Sequence, residues 1–274
     1  MTKRLAFLFS ITLLSLSGMA QDDFGYDLSV AGETKLARGL KLEFEGSMRT
    51  QDDAERIDRF VLGTGLSYRL YQSLDKKIVI KANAGFDYLW TYNLAETENK
   101  YESVLDDNDN IVQEYKGYNQ TDSYWRNRHR TSLGLSFSYT PNKRWSFGWK
   151  ETVQYCHFCK VDSIGRTKWR KNDDDDDELF AKPSPIFKGH KDQTILRSKL
   201  SASYDIKGFP IDLFASIEYG CGLNYKANKW KFTGGYDYKI NKNNKLSLYY
   251  RYNTEDDEDE VNGHLVGLGY KIDF

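Results

Sequence analysis

The chain has 274 residues, with 39 basic and 40 acidic side chains and a formal net charge of −1, so its composition gives no basis for nucleic-acid binding. A mean hydropathy of −0.70 excludes a bundle of membrane helices. Aromatic residues make up 15% of the chain, which excludes a disordered protein and argues against a helical enzyme.

Residues 1–20 predict a secretory signal peptide. Lys3 and Arg4 precede an apolar run over residues 5–16, and the small residues Gly18 and Ala20 follow it. This order is that of a cleaved export signal, and the apolar run is too short to cross a membrane as a helix. We expect cleavage before Gln21, followed by one domain over residues 21–274.

After Gln21, apolar and polar residues alternate with a period of two, which indicates strands with one apolar face. The final segment is the clearest, because every second residue from Val266 to Phe274 is apolar. The alternation predicts eleven strands, at residues 26–36, 40–50, 59–71, 77–92, 124–139, 144–157, 194–205, 210–220, 230–240, 245–252 and 263–274.

The connections between these strands are of two kinds. Short turns alternate with long polar segments, of which 93–123 and 158–193 are the largest. Outer-membrane barrels have short periplasmic turns and long extracellular loops, and lipid requires that the sheet be closed. We therefore predict an all-β fold, an antiparallel transmembrane β-barrel of 10–12 strands.

The strand count conflicts with the even number that bacterial barrels have. Either one of the eleven segments is not transmembrane, or a further strand is hidden in a long connection. Residues 99–117 are typical of a hairpin, which adds two strands or none and so cannot restore an even count.

Several sequence motifs carry a family resemblance. They are Tyr124 to Arg130, Tyr139 to Trp145, Leu196 to Lys199, Tyr236 to Lys242, and Leu248 to Tyr252. On these motifs the mature chain resembles the domain of unknown function 2490 family, small outer-membrane barrels of the Bacteroidota. The resemblance implies an outer-membrane location but no reaction or ligand.

The C-terminal Phe274 looks like the signal that the barrel assembly machinery reads. We accordingly expect this machinery, outer-membrane lipid and lipopolysaccharide as partners, and no nucleic acid.

The face of each strand opposite the apolar one is expected to line the lumen. Its charged residues are Arg126, Arg128, Arg130, Arg197, Lys199, Arg251, Glu43, Glu45, Asp87, Glu218 and Asp237. One interpretation is a packed lumen in which these charges neutralise one another. The other is a narrow channel whose arginines favour small anionic solutes.

We expect a non-enzymatic protein without a cofactor or metal, and two alternatives stay open. Asn127, His129 and Thr131 face outward on one strand, and an outward-facing histidine also occurs in outer-membrane phospholipases. The first alternative is therefore a lipid-modifying enzyme of the phospholipase or deacylase type. The second is a surface-exposed accessory protein that acts through loops 93–123 and 158–193.

The three cysteines and one glutamate need separate interpretation. In an extended chain, the Cα atoms of Cys156 and Cys159 are about 10 Å apart, too far for a disulfide. A bond between them needs a turn at 156–159, and with Cys221 as the third cysteine, loop-end thiols and one disulfide both stay open. Glu151 falls on the apolar face, where we expect a β-bulge to return it to the lumen.

Overall fold

The computed structural model describes residues 23–105, 111–172, 175–224, 228–255 and 263–274. The predicted signal peptide lies outside these residues. Within them, no helix is long and apolar enough to cross a membrane. The described chain is built from strands, as its alternating pattern predicts.

Eleven strands form a closed barrel, which confirms the predicted fold class. They coincide with the eleven segments predicted from the alternation, and several extend further at their ends. The barrel strands are β1 (Asp23–Ala37), β2 (Leu40–Gln51), β3 (Arg56–Gln72), β4 (Ile78–Asn93), β7 (Tyr124–Tyr139), β8 (Trp145–Phe158), β13 (Lys191–Asp205), β14 (Ile211–Gly222), β15 (Asn228–Lys239), β16 (Asn244–Glu255) and β17 (Gly263–Asp273).

The barrel closes through a parallel pair. β1 runs alongside β17 in the same direction, from Asp23 opposite Gly263 to Glu33 opposite Asp273, whereas the other neighbouring strands are antiparallel. An odd number of strands cannot alternate in direction around a ring, so one parallel pair is required. Both explanations of the odd count offered above are therefore wrong: each predicted segment is a barrel strand, and the described residues of the two long connections add no further strand to the barrel.

One end of the barrel carries only short turns, and the other carries the long connections together with the short β2–β3 turn at residues 52–55. We call them the turn end and the loop end. The turn end includes the tight turn at Gly39, which has a φ of 83°. In the β3–β4 turn, hydrogen bonds from the Ser73 hydroxyl and the Lys77 backbone lower the pKa of Asp75.

The long connections form small sheets of their own beyond the barrel. The first contains β5 (Glu96–Leu105) and β6 (Ile111–Thr121), which confirms the predicted hairpin. The second contains β9 (Val161–Ile164), β10 (Arg166–Asn172), β11 (Asp175–Pro183) and β12 (Ile186–Lys188). Since β6 pairs with β10, the two loops share one four-stranded sheet in the order β11-β10-β6-β5.

The alternation sorts side chains between the outer wall and the lumen. Leu62, Leu133 and Leu200 point outward and remain 59–63% exposed, as expected where lipid replaces a protein core. The expected bulge at Glu151 is wrong, because β8 pairs without a shift against both β7 and β13.

Glu151 thus lies on the outer wall, at the middle of β8. Its Oε1 accepts hydrogen bonds from Trp149 Nε1 at 2.7 Å and from Ser198 Oγ at 2.5 Å. These two donors satisfy a carboxyl oxygen that would otherwise face apolar surroundings.

Candidate functional site

The lumen contains a positively charged cavity toward the loop end, with a volume of about 230 Å³. Three acidic side chains line it, namely Asp27, Glu45 and Glu218. Nine basic side chains line it as well: Arg49, Arg59, Arg128, Arg130, Arg197, Lys199, Lys229, Lys231 and Arg251. The charges of the wall therefore sum to a clear positive excess, which attracts anions.

Ion pairs neutralise only part of this excess. Two of them use acids outside the cavity lining, because Arg59 lies 2.6 Å from Asp58 and Arg130 lies 2.7 Å from Asp87. The guanidinium of Arg197 lies 3.0 Å from a carboxylate oxygen of Glu218, and Arg251 lies 3.0 Å from Asp27. Asp27 is shared, because Arg49 approaches the same oxygen to 3.8 Å. The buried Nε of Arg49 has no hydrogen-bond partner among the described residues. An anion in the cavity could accept a hydrogen bond from this group.

Below this cavity, toward the turn end, the charges are nearly balanced. A second cavity, of about 460 Å³, is lined by five acidic and four basic side chains. Glu33 accepts a hydrogen bond from Lys271 Nζ at 2.6 Å and also contacts Lys41. A third cavity, of about 430 Å³, has fifteen lining residues, of which six are serines. Lys199 borders all three cavities and marks where they adjoin.

The loop end of the lumen is narrowed by Phe158, the last residue of β8, which is only 1% exposed. The guanidinium carbons of Arg126 and Arg128 lie 5.1 and 4.5 Å from the centre of its ring. Arg126 also donates to the carbonyl oxygens of Cys159 at 3.0 Å and Gly189 at 2.7 Å. It thereby ties both ends of the loop that contains β9–β12 to the mouth of the barrel.

The predicted lumen residues lie in the first and second cavities, at the mouth of the barrel and near the turn end. Arg128, Arg130, Arg197, Lys199, Arg251, Glu45 and Glu218 line the first cavity, whereas Glu43 and Asp87 line the second. Arg126 lies at the mouth instead. Asp237 lies near the turn end, where its Oδ1 accepts a hydrogen bond from Ser247 Oγ at 2.6 Å.

Sequence reasoning missed part of the cavity wall. Arg49, Arg59, Asp27, Lys229 and Lys231 also line the first cavity. Each occupies an inward position of the same alternation that identified Arg197 and Glu218, so the available signal was sufficient to find them.

A second cluster of reactive side chains lies on the outer wall at the loop end. His129, on β7, faces outward as predicted, and its Nε2 lies 3.9 Å from the thiol sulfur of Cys159. On β8, the Nδ1 of His157 is 2.7 Å from Oδ1 of Asp192. All three cysteines are free thiols, so the structure contains no disulfide among them.

A family model described as a protein of unknown function (DUF2490) matches residues 24–264. No curated protein matches the sequence. Among solved structures, the β domain of the Bordetella autotransporter BrkA is similar, with a TM-score of 0.42 and 11% identity over 86% of this chain and 82% of that one. The closed sheet of eleven paired strands itself establishes the barrel fold.

Proposed function

We propose that this chain, which belongs to the DUF2490 family of proteins of unknown function, is an outer-membrane β-barrel that conducts small anions through a narrow lumen. The family itself indicates no activity. The outer-membrane location is supported by the exposed leucines of the outer wall, by the closed sheet and by the sorting of short turns and long loops. The predicted signal peptide agrees with it.

We infer the partners of the protein from the same proposed location. Outer-membrane lipid and lipopolysaccharide surround the apolar wall. The barrel assembly machinery recognises the C-terminal strand, where Phe274 is 75% exposed and its amide donates to the Glu33 carbonyl at 2.8 Å.

One observation carries the choice of anions, namely the nine basic against three acidic side chains that line the cavity toward the loop end. A wall of this charge, set in a low-dielectric surrounding, raises the local concentration of anions and repels cations. Passage through such a lumen requires no catalytic group or cofactor.

The test is single-channel conductance of the refolded mature chain in planar bilayers, with the anion-to-cation permeability ratio measured under a salt gradient. We expect discrete steps and a preference for anions. Lys199→Glu should lower the permeability ratio at least threefold, because Lys199 borders all three cavities.

Lys207→Glu is the matched control, since it makes the same charge change at an exposed turn residue and should leave the ratio unchanged. The proposal is overturned if a folded, heat-modifiable barrel shows no conductance. It is equally overturned if both variants leave the permeability ratio at the wild-type value.

A further inference from the structure

The strand register brings a row of chemically active side chains together on the outer wall. His129 lies opposite His157 on the neighbouring strand, and His157 lies opposite Asp192 on the next. The rings of His129 and His157 are 6.2 Å apart. The thiol of Cys159 completes the row, held in place because its backbone amide donates to the Asn127 carbonyl at 2.9 Å.

We propose that Cys159 and His129 form a thiol–imidazole site that hydrolyses long-chain acyl esters of membrane amphiphiles. The inference goes beyond conduction, since these side chains face away from the lumen. It is carried by the contact of 3.9 Å between Cys159 Sγ and His129 Nε2, which puts a nucleophile beside a group that can accept its proton.

The reaction balances with water as the only co-reactant. His129 Nε2 takes the thiol proton as the sulfur attacks the ester carbonyl carbon. The carbon–oxygen bond breaks, and the alcohol leaves with the proton from His129, so that the acyl group remains on Cys159 as a thioester. His129 then takes a proton from water, whose oxygen attacks the thioester. The carbon–sulfur bond breaks, the fatty acid departs, and the thiol regains its proton.

The surroundings of the row select an amphiphilic ester. Tyr88 packs against His129 with ring centres 5.0 Å apart, and Trp90 packs against Tyr88 at 4.4 Å. Aromatic side chains of this kind occupy the headgroup level of a membrane. Further toward the turn end, the same wall exposes Leu133 and Val153. An acyl ester has its carbonyl between headgroup and chain, which is the same boundary.

His157 and Asp192 continue the row beside His129. Because His157 Nδ1 lies 2.7 Å from Oδ1 of Asp192, the carboxylate fixes the orientation of the His157 ring. We assign Asp192 as a positioning residue. Asp192→Asn keeps the side-chain shape but removes the charge, so it should lower kcat about tenfold with KM unchanged, whereas a merely structural defect would lower the fraction of folded protein.

The test uses the full mature chain in vesicles of diacyl phosphatidylethanolamine and, separately, in vesicles that contain lipid A. Released fatty acid is measured in both, and the vesicle type that yields it identifies the source of the ester. Cys159→Ala should lower release at least a hundredfold. Cys221→Ala is the matched control, because Cys221 is another free thiol on the outer wall, and it should stay within twofold of wild type.

A second measurement reports on the thiol without turnover. Iodoacetamide at neutral pH should alkylate Cys159 about tenfold faster than Cys221, and His129→Gln should remove this difference. Mass spectrometry should also detect an acyl group on the Cys159 peptide that hydroxylamine removes.

The proposal is overturned if folded wild-type protein releases fatty acid from neither vesicle, if Cys159→Ala releases it at the wild-type rate, or if the two thiols are alkylated equally fast. Conductance should be the same in Cys159→Ala and wild type, so failure of this site and failure of the anion channel are distinguishable.

Discussion

At the scale of single residues, glycines decide where large side chains fit inside the lumen. Gly267 faces inward, and a Cβ atom at this position would overlap the ring of Tyr249. That ring borders two of the three cavities and lies beneath Arg251, whose guanidinium carbon is 5.1 Å from its centre. Gly63 similarly leaves room for the carboxylate of Asp87, which binds Arg130 at 2.7 Å. Glycine at positions 267 and 63 thus leaves the space that the side chains of Tyr249 and Asp87 occupy.

This role of Gly267 makes a stability prediction. Gly267→Ala should lower the free energy of unfolding by about 1–3 kcal/mol, because the added methyl group must displace a packed ring. Urea unfolding in lipid vesicles measures the change. Gly234→Ala is the control, since a Cβ there meets nothing within 4 Å, and it should change stability by less than about 0.5 kcal/mol. Equal losses in the two variants would contradict the packing argument.

At the scale of strands, the closing pair between β1 and β17 is the feature that departs from bacterial barrels with even strand numbers. Eleven residue pairs join the two strands in parallel register, including Leu28 opposite Leu268. The pairing satisfies both edges of the sheet, so the described barrel has no exposed edge despite its odd strand count.

Cross-linking tests this closure. With the native cysteines replaced by alanine, Leu28→Cys combined with Leu268→Cys should form an intramolecular disulfide with a membrane-permeable oxidant, because directly paired Cα atoms lie within the reach of the bond. Leu28→Cys with Ile272→Cys is the control, displaced by four residues or about 13 Å along β17. Cross-linking of the control pair alone would mean that the strands pair in another register.

The sequence predicts the positions of the strands better than it predicts which strands pair, and the reason is physical. A period of two is a local pattern, so the eleven barrel strands and their inward-facing charges, such as Arg197, could be predicted directly from the sequence. Closure between β1 and β17 joins residues more than two hundred positions apart, and no local pattern encodes it. The contact of His129 with Cys159 also depends on the register of β7 against β8, which alternation leaves open.

At the scale of the whole molecule, the lumen is divided along its axis. The half toward the loop end has the basic excess, and the half toward the turn end has nearly balanced charge. The second long loop lies at the basic end, where Arg126 ties it down at Cys159 and Gly189. Ile164 of this loop is 2% exposed, so the loop is closely packed, and both of its ends stay at the mouth of the barrel.

Removal of this loop should therefore widen the entrance. We expect replacement of residues 161–188 by a short Gly-Ser linker to raise single-channel conductance at least twofold while the anion preference persists, because the basic lining belongs to barrel strands that the deletion leaves in place. Replacement of 101–115, the outer part of the β5–β6 hairpin, is the control and should leave conductance unchanged. If the first deletion also leaves it unchanged in a heat-modifiable barrel, the restriction to ion flow lies deeper, among the ion pairs of Arg197 and Asp27.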